Sequence, residues 1–336
     1  MQGFGFGSSK ASENQSAQWL SGAARWFLLS RAFTPMLGLS VVDASTLPFN
    51  MPLRETEAVV LRTYRLGEAD KIVSFFTRQF GRLRAVAAGA QRPKSRYGAT
   101  LEPLSYVRLW IFERENRDLL RLNSTELLES FFEMQRDYRG QIAAHYVSEV
   151  CERLLPEREL NERVFRLLLA VLRGMKHPSD VERSLLYFNY WVLRLGGFLP
   201  DLEQCAACGR ILGEAPAFYG RGAEGLICAG CVGQGGDAQQ GRQTSARKAA
   251  PSRPNGSEGL SVREWRTLSA QALALGRLSR TMSLERWLSE GSSVQICREA
   301  RLFFEELVEL HAEKRLVTRD LLNKALAGEV PGHDVR

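Results

Sequence analysis

From Met51 onward the apolar positions fall into short runs with the period of a strand. Ala58 to Tyr64 is rich in Val, Leu and Thr, and Lys71 to Thr77 (Lys-Ile-Val-Ser-Phe-Phe-Thr) forms a second run. Gly81 marks a turn before Arg82 to Ala88. Val107, Leu109 and Ile111 alternate with Arg108, Trp110 and Phe112, and the polar turn Glu115-Asn116-Arg117-Asp118 leads into Leu119 to Ser124. Several short strands at this spacing predict a small sandwich or barrel.

From about Thr125 the period becomes helical. Val164, Leu167, Leu168, Val171, Leu172 and Met175 recur on one helical face, with Asn161 placed as N-cap. Ser179-Asp180-Val181-Glu182 and Ser261-Val262-Arg263-Glu264 both read as capping boxes, the first opening a helix to about Leu195. Val294 to Leu316 predicts a long amphipathic helix with Phe303, Phe304, Leu307 and Leu310 on its apolar side. The expected architecture is α+β and multidomain: a barrel over 51–130, then a helical domain over 131–320 and a tail over 321–336.

Two segments break the pattern. Residues 1–50 open Gly-Phe-Gly-Phe-Gly-Ser-Ser after two residues and are expected to be a disordered extension. Residues 232–259 turn to Gly, Gln, Ser, Ala and Pro, a composition that buries too little apolar surface to fold alone, and are expected to be a flexible insert. The stretch Trp26 to Val42 is interrupted by Arg31, Thr34 and Pro35, so neither a membrane span nor an export leader is expected.

The chain has 336 residues, 44% hydrophobic and 25% charged, with a formal net charge of +7. That suits a globular protein of two or three domains with a preference for polyanionic partners. The positive charge is concentrated. Lys71, Arg78, Arg82, Arg84, Arg92, Lys94, Arg96 and Arg108 face a single acid, Glu102, between positions 71 and 108. Ala87, Ala88, Gly89 and Ala90 let the basic loop Gln91-Arg92-Pro93-Lys94-Ser95-Arg96-Tyr97 lie close to a phosphate backbone, with Tyr97 and Tyr106 as base-stacking candidates. A charge run is ordinarily a solvated face; the scarcity of compensating acids favours nucleic acid here.

Four of six cysteines form two C-x-x-C pairs, Cys205/Cys208 and Cys228/Cys231, separated by nineteen residues. Four soft thiolates at this spacing suit one tetrahedral Zn²⁺, and a shell closed by protein ligands indicates a structural rather than a catalytic metal. Gly209 follows the first pair, where a tight turn aims backbone N–H groups at sulfur. Cys151 and Cys297 lie within apolar-periodic segments. The pattern fits a reducing cytoplasm better than a secreted disulfide framework. The four histidines are isolated, and no G-x-S-x-G, G-x-x-x-x-G-K-[ST] or H-E-x-x-H motif occurs, so no enzymatic activity is expected.

Two stretches together resemble the bacterial RecO family. The first comprises Ala58-Val59-Val60-Leu61-Arg62, Leu66-Gly67-Glu68-Ala69-Asp70-Lys71-Ile72-Val73, Phe75-Phe76-Thr77, Gly81-Arg82-Leu83, Ala88-Gly89-Ala90, Lys94-Ser95-Arg96-Tyr97-Gly98 and Leu101-Glu102-Pro103. The second is Gly196-Gly197-Phe198-Leu199-Pro200-Asp201-Leu202, leading into the first cysteine pair. The resemblance runs from about Met51 to about Lys314 and leaves out the 232–259 insert. It implies an N-terminal OB-fold barrel and a helical domain with a zinc-binding loop over 205–231. It also implies a recombination mediator that binds single- and double-stranded DNA, anneals strands, contacts the C-terminal tail of single-strand-binding protein, pairs with RecR and helps load RecA. The matching positions suggest DNA contacts from Lys71, Arg82, Arg92, Lys94 and Arg96; Arg84 and Tyr97 join them from the basic segment. Some members of the family lack the cysteines, which makes zinc a stabiliser in this branch.

Two other classes stay open. A zinc-ribbon transcription or RNA-binding regulator would read sequence through a groove helix or splayed bases, but the loop between Cys205 and Cys231 balances Arg210 and Arg221 against Glu214 and Glu224. A metal-dependent hydrolase would need an open metal position.

Overall fold

The computed structural model describes residues 53–112, 119–220, 223, 225–232 and 265–329. The extension 1–50, the Glu115–Asp118 turn, most of the 232–259 insert, the Ser261 capping box and the end of the tail lie outside the described residues.

Five strands close a barrel in the order β1-β2-β3-β5-β4: β1 (Leu53–Leu66), β2 (Asp70–Thr77), β3 (Gly81–Ala87), β4 (Tyr106–Phe112) and β5 (Leu119–Glu129). Only β3 and β5 pair in parallel. The helical onset expected at Thr125 does not occur there, because β5 runs on to Glu129. Tyr106 pairs with Glu129 and Val107 with Leu127, so the β4–β5 ladder holds this stretch extended despite its helix-forming composition, and α1 (Tyr138–Leu154) begins nine residues after β5.

The run Ala58-Val59-Val60-Leu61 does not alternate because β1 is buried on both faces. Ala58 and Val60 join the barrel interior with Val73, Phe75, Leu109 and Leu122. Val59, Leu61 and Phe76 point outward into the core of the helical domain. α2 (Glu162–Gly174) docks on that wall, where Phe165 meets Phe76 edge-on at 5.8 Å. The turn into β3 fits the helical domain as closely. Gly81 has φ +67°, and a Cβ there would stand 2.0 Å from the Glu159 carbonyl oxygen. Only glycine fits.

α2 is capped as expected: the Asn161 side chain accepts from the Val164 N–H. The Ser179 capping box does not form. Pro178–Asp180 is a 3-10 turn running directly into α3 (Val181–Leu195), whose N-cap is Asp180, and Glu182 is taken by Arg301 at 2.9 Å. After α3 come β6 (Ala217–Tyr219), β7 (Ile227–Cys228), α4 (Ala229–Val232), β8 (Arg266–Leu268), α5 (Ala270–Leu278), α6 (Leu284–Ser289), α7 (Val294–His311) and α8 (Val317–Leu326). α7 stops at His311, short of the expected Leu316. Phe303 and Phe304 are buried, but Leu310 is exposed. The stretch expected as a tail continues α8, whose Leu322 and Ala325 are buried. The buried carboxylate of Glu149 accepts from the backbone N–H groups of Val317 (3.1 Å) and Thr318 (2.9 Å), satisfying orphan donors at the start of α8.

Among the described residues no helix is long and apolar enough to cross a membrane.

Candidate nucleic-acid interface and metal centre

The basic loop after β3 is built from successive tight turns, with Arg92 N–H donating to Gly89 C=O at 3.2 Å and Ser95 N–H to Arg92 C=O at 3.0 Å. It is stitched to the β1–β2 turn. Gly89 N–H donates to Asp70 Oδ1 (2.8 Å), Gln91 N–H to Ala69 C=O (2.9 Å) and Gln91 Nε2 to Asp70 C=O (2.6 Å). This brings Arg92, Lys94 and Arg96, all exposed, beside Lys71 at one mouth of the barrel. Arg65, just outside the basic window, joins them because it is the cross-strand partner of Lys71. Like charges directly opposite are unfavourable in a sheet. Among the described residues none of these five cations has a carboxylate within 4 Å. The nearest acids in sequence are Asp70, which holds Gly89, and the exposed Glu68.

The rest of the basic window does something else. Arg78 pairs with Glu57 (3.0 Å) and Glu162 (2.9 Å), and Arg108 with Glu55 and Glu126 (both 3.4 Å). Arg82 and Arg84, expected at the DNA site, share Glu157 at 3.3 and 3.0 Å, and Arg82 also donates to the Leu155 carbonyl. They sit on the outer face of β3, against the helical domain.

The tyrosines need a correction. Tyr97 is 1% exposed, and its ring fills the barrel interior while its hydroxyl donates to Leu122 C=O at 3.0 Å. A buried ring cannot stack on a base. It braces Arg96 instead, whose guanidinium lies 5.0 Å from the ring centroid. Tyr106 is half-buried against Phe165 and donates to Glu57 at 2.8 Å. Burial and that carboxylate push its pKa up to about 12, so it stays a neutral donor.

The four cysteines converge as expected. Their Sγ atoms all lie within 4.8 Å of one another. The first knuckle turns at Gly209, φ +72°, whose N–H donates to Cys205 C=O at 2.9 Å. Ala206 N–H donates to Leu226 C=O (2.8 Å), which clips the first knuckle to the second. Arg277 of α5 donates to the carbonyls of Leu202 and Gly213, tying the loop to the helices. The Cys208 and Cys228 sulfurs are 3.8 Å apart. That matches the edge of a tetrahedron with metal–sulfur bonds of ~2.3 Å, which is ~3.8 Å. Burial opposes ionisation of Cys205, but N–H groups of Cys228, Cys208 and Ala207 outweigh it and lower its pKa to about 6. Cys231, hydrogen-bonded to Cys208, is pushed up to about 12. Four thiols this close resist ionising together unless a cation joins them, and the cluster could hold a metal ion.

Barrel order, basic mouth and accessory helices define an OB-fold protein with a helical domain and a four-cysteine centre. Comparison with known proteins agrees. Residues 51–131 match the family model described as Recombination protein O N terminal, and residues 135–250 match Recombination protein O C terminal. A DNA repair protein RecO from Koribacter versatilis (strain Ellin345) is 37% identical over 272 residues, 81% of this chain and 99% of the relative. Another from Anaeromyxobacter sp. (strain K) is 30% identical over 268 residues, 79% of this chain and 94% of the relative. A third, from Nocardioides sp. (strain ATCC BAA-499 / JS614), is 39% identical over 186 residues, 53% of this chain and 74% of the relative. The chain belongs to the RecO family.

Proposed function

We propose that the protein is a DNA-binding mediator of recombinational DNA repair. It binds single- and double-stranded DNA at the barrel mouth, anneals complementary strands and helps load RecA onto strands coated by single-strand-binding protein. It works with RecR and contacts the C-terminal tail of single-strand-binding protein, in the cytoplasm at the nucleoid. It acts by binding, without turnover.

The observation that carries this reading is the group of five cations at the barrel mouth, Arg65, Lys71, Arg92, Lys94 and Arg96, with no carboxylate within 4 Å among the described residues, in a chain whose relatives are named DNA repair proteins. An open basic surface exchanges condensed counterions for protein charge along a phosphate backbone. The four cysteines suit one Zn²⁺ per chain. A shell filled by protein sulfurs leaves no place for a reacting water, so the metal would cross-link the loop between α3 and β8 as a structural element.

The test is strand annealing with complementary oligonucleotides coated by single-strand-binding protein. The protein should accelerate duplex formation on unrelated sequences alike. Failure to accelerate it would overturn the mediator reading, and tight binding to one sequence alone would favour a transcription regulator.

A further inference from the structure

α2 buries Val164, Phe165, Leu167, Leu168, Val171 and Leu172. Its opposite face is a stripe of Arg163, Arg166 and Arg173, continued by Lys176 just beyond the helix. From Arg163 to Lys176 the stripe spans roughly 20 Å at 1.5 Å per residue. Neighbouring acids pair with only one end of it. Glu162 is engaged by Arg78 at 2.9 Å. Glu129 pairs with Arg173 and Lys176, both at 2.8 Å, as Glu157 pairs with Arg82 and Arg84, so that end of the stripe is ion-paired. Arg163 and Arg166 are exposed, with no carboxylate within 4 Å among the described residues. Ordinary solvated helix faces alternate sign. Here two arginines three apart occupy the first turns, where the helix dipole disfavours positive charge. Local rules are broken in this way where a surface serves a partner.

This stripe is separate from the barrel mouth. Lys71 lies at the start of β2, whereas Phe76, which contacts Phe165 of α2, lies five residues along it, roughly 17 Å at the rise of a strand. Arg84, the register partner of Ser74, lies between those two levels and Arg82 lies opposite Phe76; both are ion-paired with Glu157. Two open basic surfaces separated by ion-paired arginines fit two polyanions better than one continuous track.

We propose that the exposed face of α2, through Arg163 and Arg166, is a second nucleic-acid site that holds the incoming strand while the barrel mouth holds the first. This rests on the annealing function proposed above and assigns the second substrate its own surface. α2 is fixed to the barrel wall by the Phe165–Phe76 contact and the Arg78–Glu162 pair, so the two strands are presented at a set separation.

The experiment uses the full chain and a double variant, Arg163→Ala with Arg166→Ala. The protein is loaded with a donor-labelled oligonucleotide, and an acceptor-labelled, non-complementary oligonucleotide is added; energy transfer reports two strands on one protein. Annealing of complementary oligonucleotides is followed in parallel. First-strand affinity should change by less than about two-fold, while second-strand affinity and annealing rate should fall at least about ten-fold, with a salt slope lower by roughly 1.4 for two lost phosphate contacts. Arg163→Lys with Arg166→Lys should restore both, which separates lost charge from a folding defect. Unchanged second-strand binding and annealing in the alanine variant would overturn the second site. So would a first-strand loss equal to the second-strand loss, which would mean one shared track. If the unsubstituted protein neither binds nor anneals strands, the mediator reading itself falls.

Discussion

The triple variant Lys71→Ala, Arg92→Ala, Lys94→Ala tests the barrel mouth most directly. These side chains make no ion pair among the described residues, so their loss should leave the fold intact; Arg96 is spared because it packs on Tyr97. If each cation meets one phosphate of a single strand, the log–log salt slope should fall by ~0.7 per contact, or ~2.1 in all. Between 50 and 200 mM salt, a four-fold change, the affinity advantage of the unsubstituted protein should then shrink by ~18-fold. Arg84→Ala, which removes a cation already paired with Glu157 at 3.0 Å, should flatten the slope much less. The assay is fluorescence anisotropy on two unrelated oligonucleotides across a salt series. Parallel log–log lines for the triple variant and its parent would refute the reasoning, as would a strong preference for one oligonucleotide.

Two further outcomes are expected. Elemental analysis should find one Zn²⁺ per chain, held by Cys205, Cys208, Cys228 and Cys231, and Cys205→Ser should abolish it and lower the melting temperature with little effect on the salt slope; metal-free protein purified without chelator would contradict this. Glu149→Gln should destabilise the fold by about 2 kcal/mol at neutral pH, as hydrogen bonds to a charged acceptor are lost. Burial opposes ionisation of Glu149, but the Thr318 hydroxyl and the N–H groups of Thr318 and Val317 hold its pKa below the ordinary glutamate value. Its contribution is therefore complete above that ordinary value and is lost as pH falls through the lowered one. Urea unfolding should show the variant's deficit closing in acid, and a deficit independent of pH would be inconsistent with the cap.

How much of this was readable depended on how local the signal was. The strands, the Asn161 cap and the cysteine pairs could be read directly, because strand periodicity, a side chain reaching three residues ahead and a C-x-x-C knuckle all lie within a few residues. Thr125–Glu129 reads as helix but is strand, because a ladder with β4 overrides its own propensity. The Ser179 box failed because Glu182 had a better partner, Arg301, 119 residues away. Arg65 carries no such local signal, because it falls outside the basic window and reaches Lys71 only through strand register. The burial of Tyr97 had no local signal at all.

The same distance effect explains why a count of positive charge overstates the proposed DNA site. Arg78, Arg82 and Arg84 look like Arg92 and Arg96 in the sequence. The difference lies in Glu157 and Glu162, more than seventy residues on, which fold back against β2 and β3. Those arginines help fasten the barrel to the helices, together with Val59, Leu61 and Phe76. Docking consumes the charge on one side of the barrel and leaves the mouth, where among the described residues no carboxylate lies within 4 Å of the five cations, as the proposed polyanion surface. On the proposed reading, an arginine of the basic window is open to DNA where no carboxylate from the helical domain reaches it among the described residues. A substitution such as Glu157→Gln would accordingly free positive charge on the outer face of β3 without adding a single basic residue.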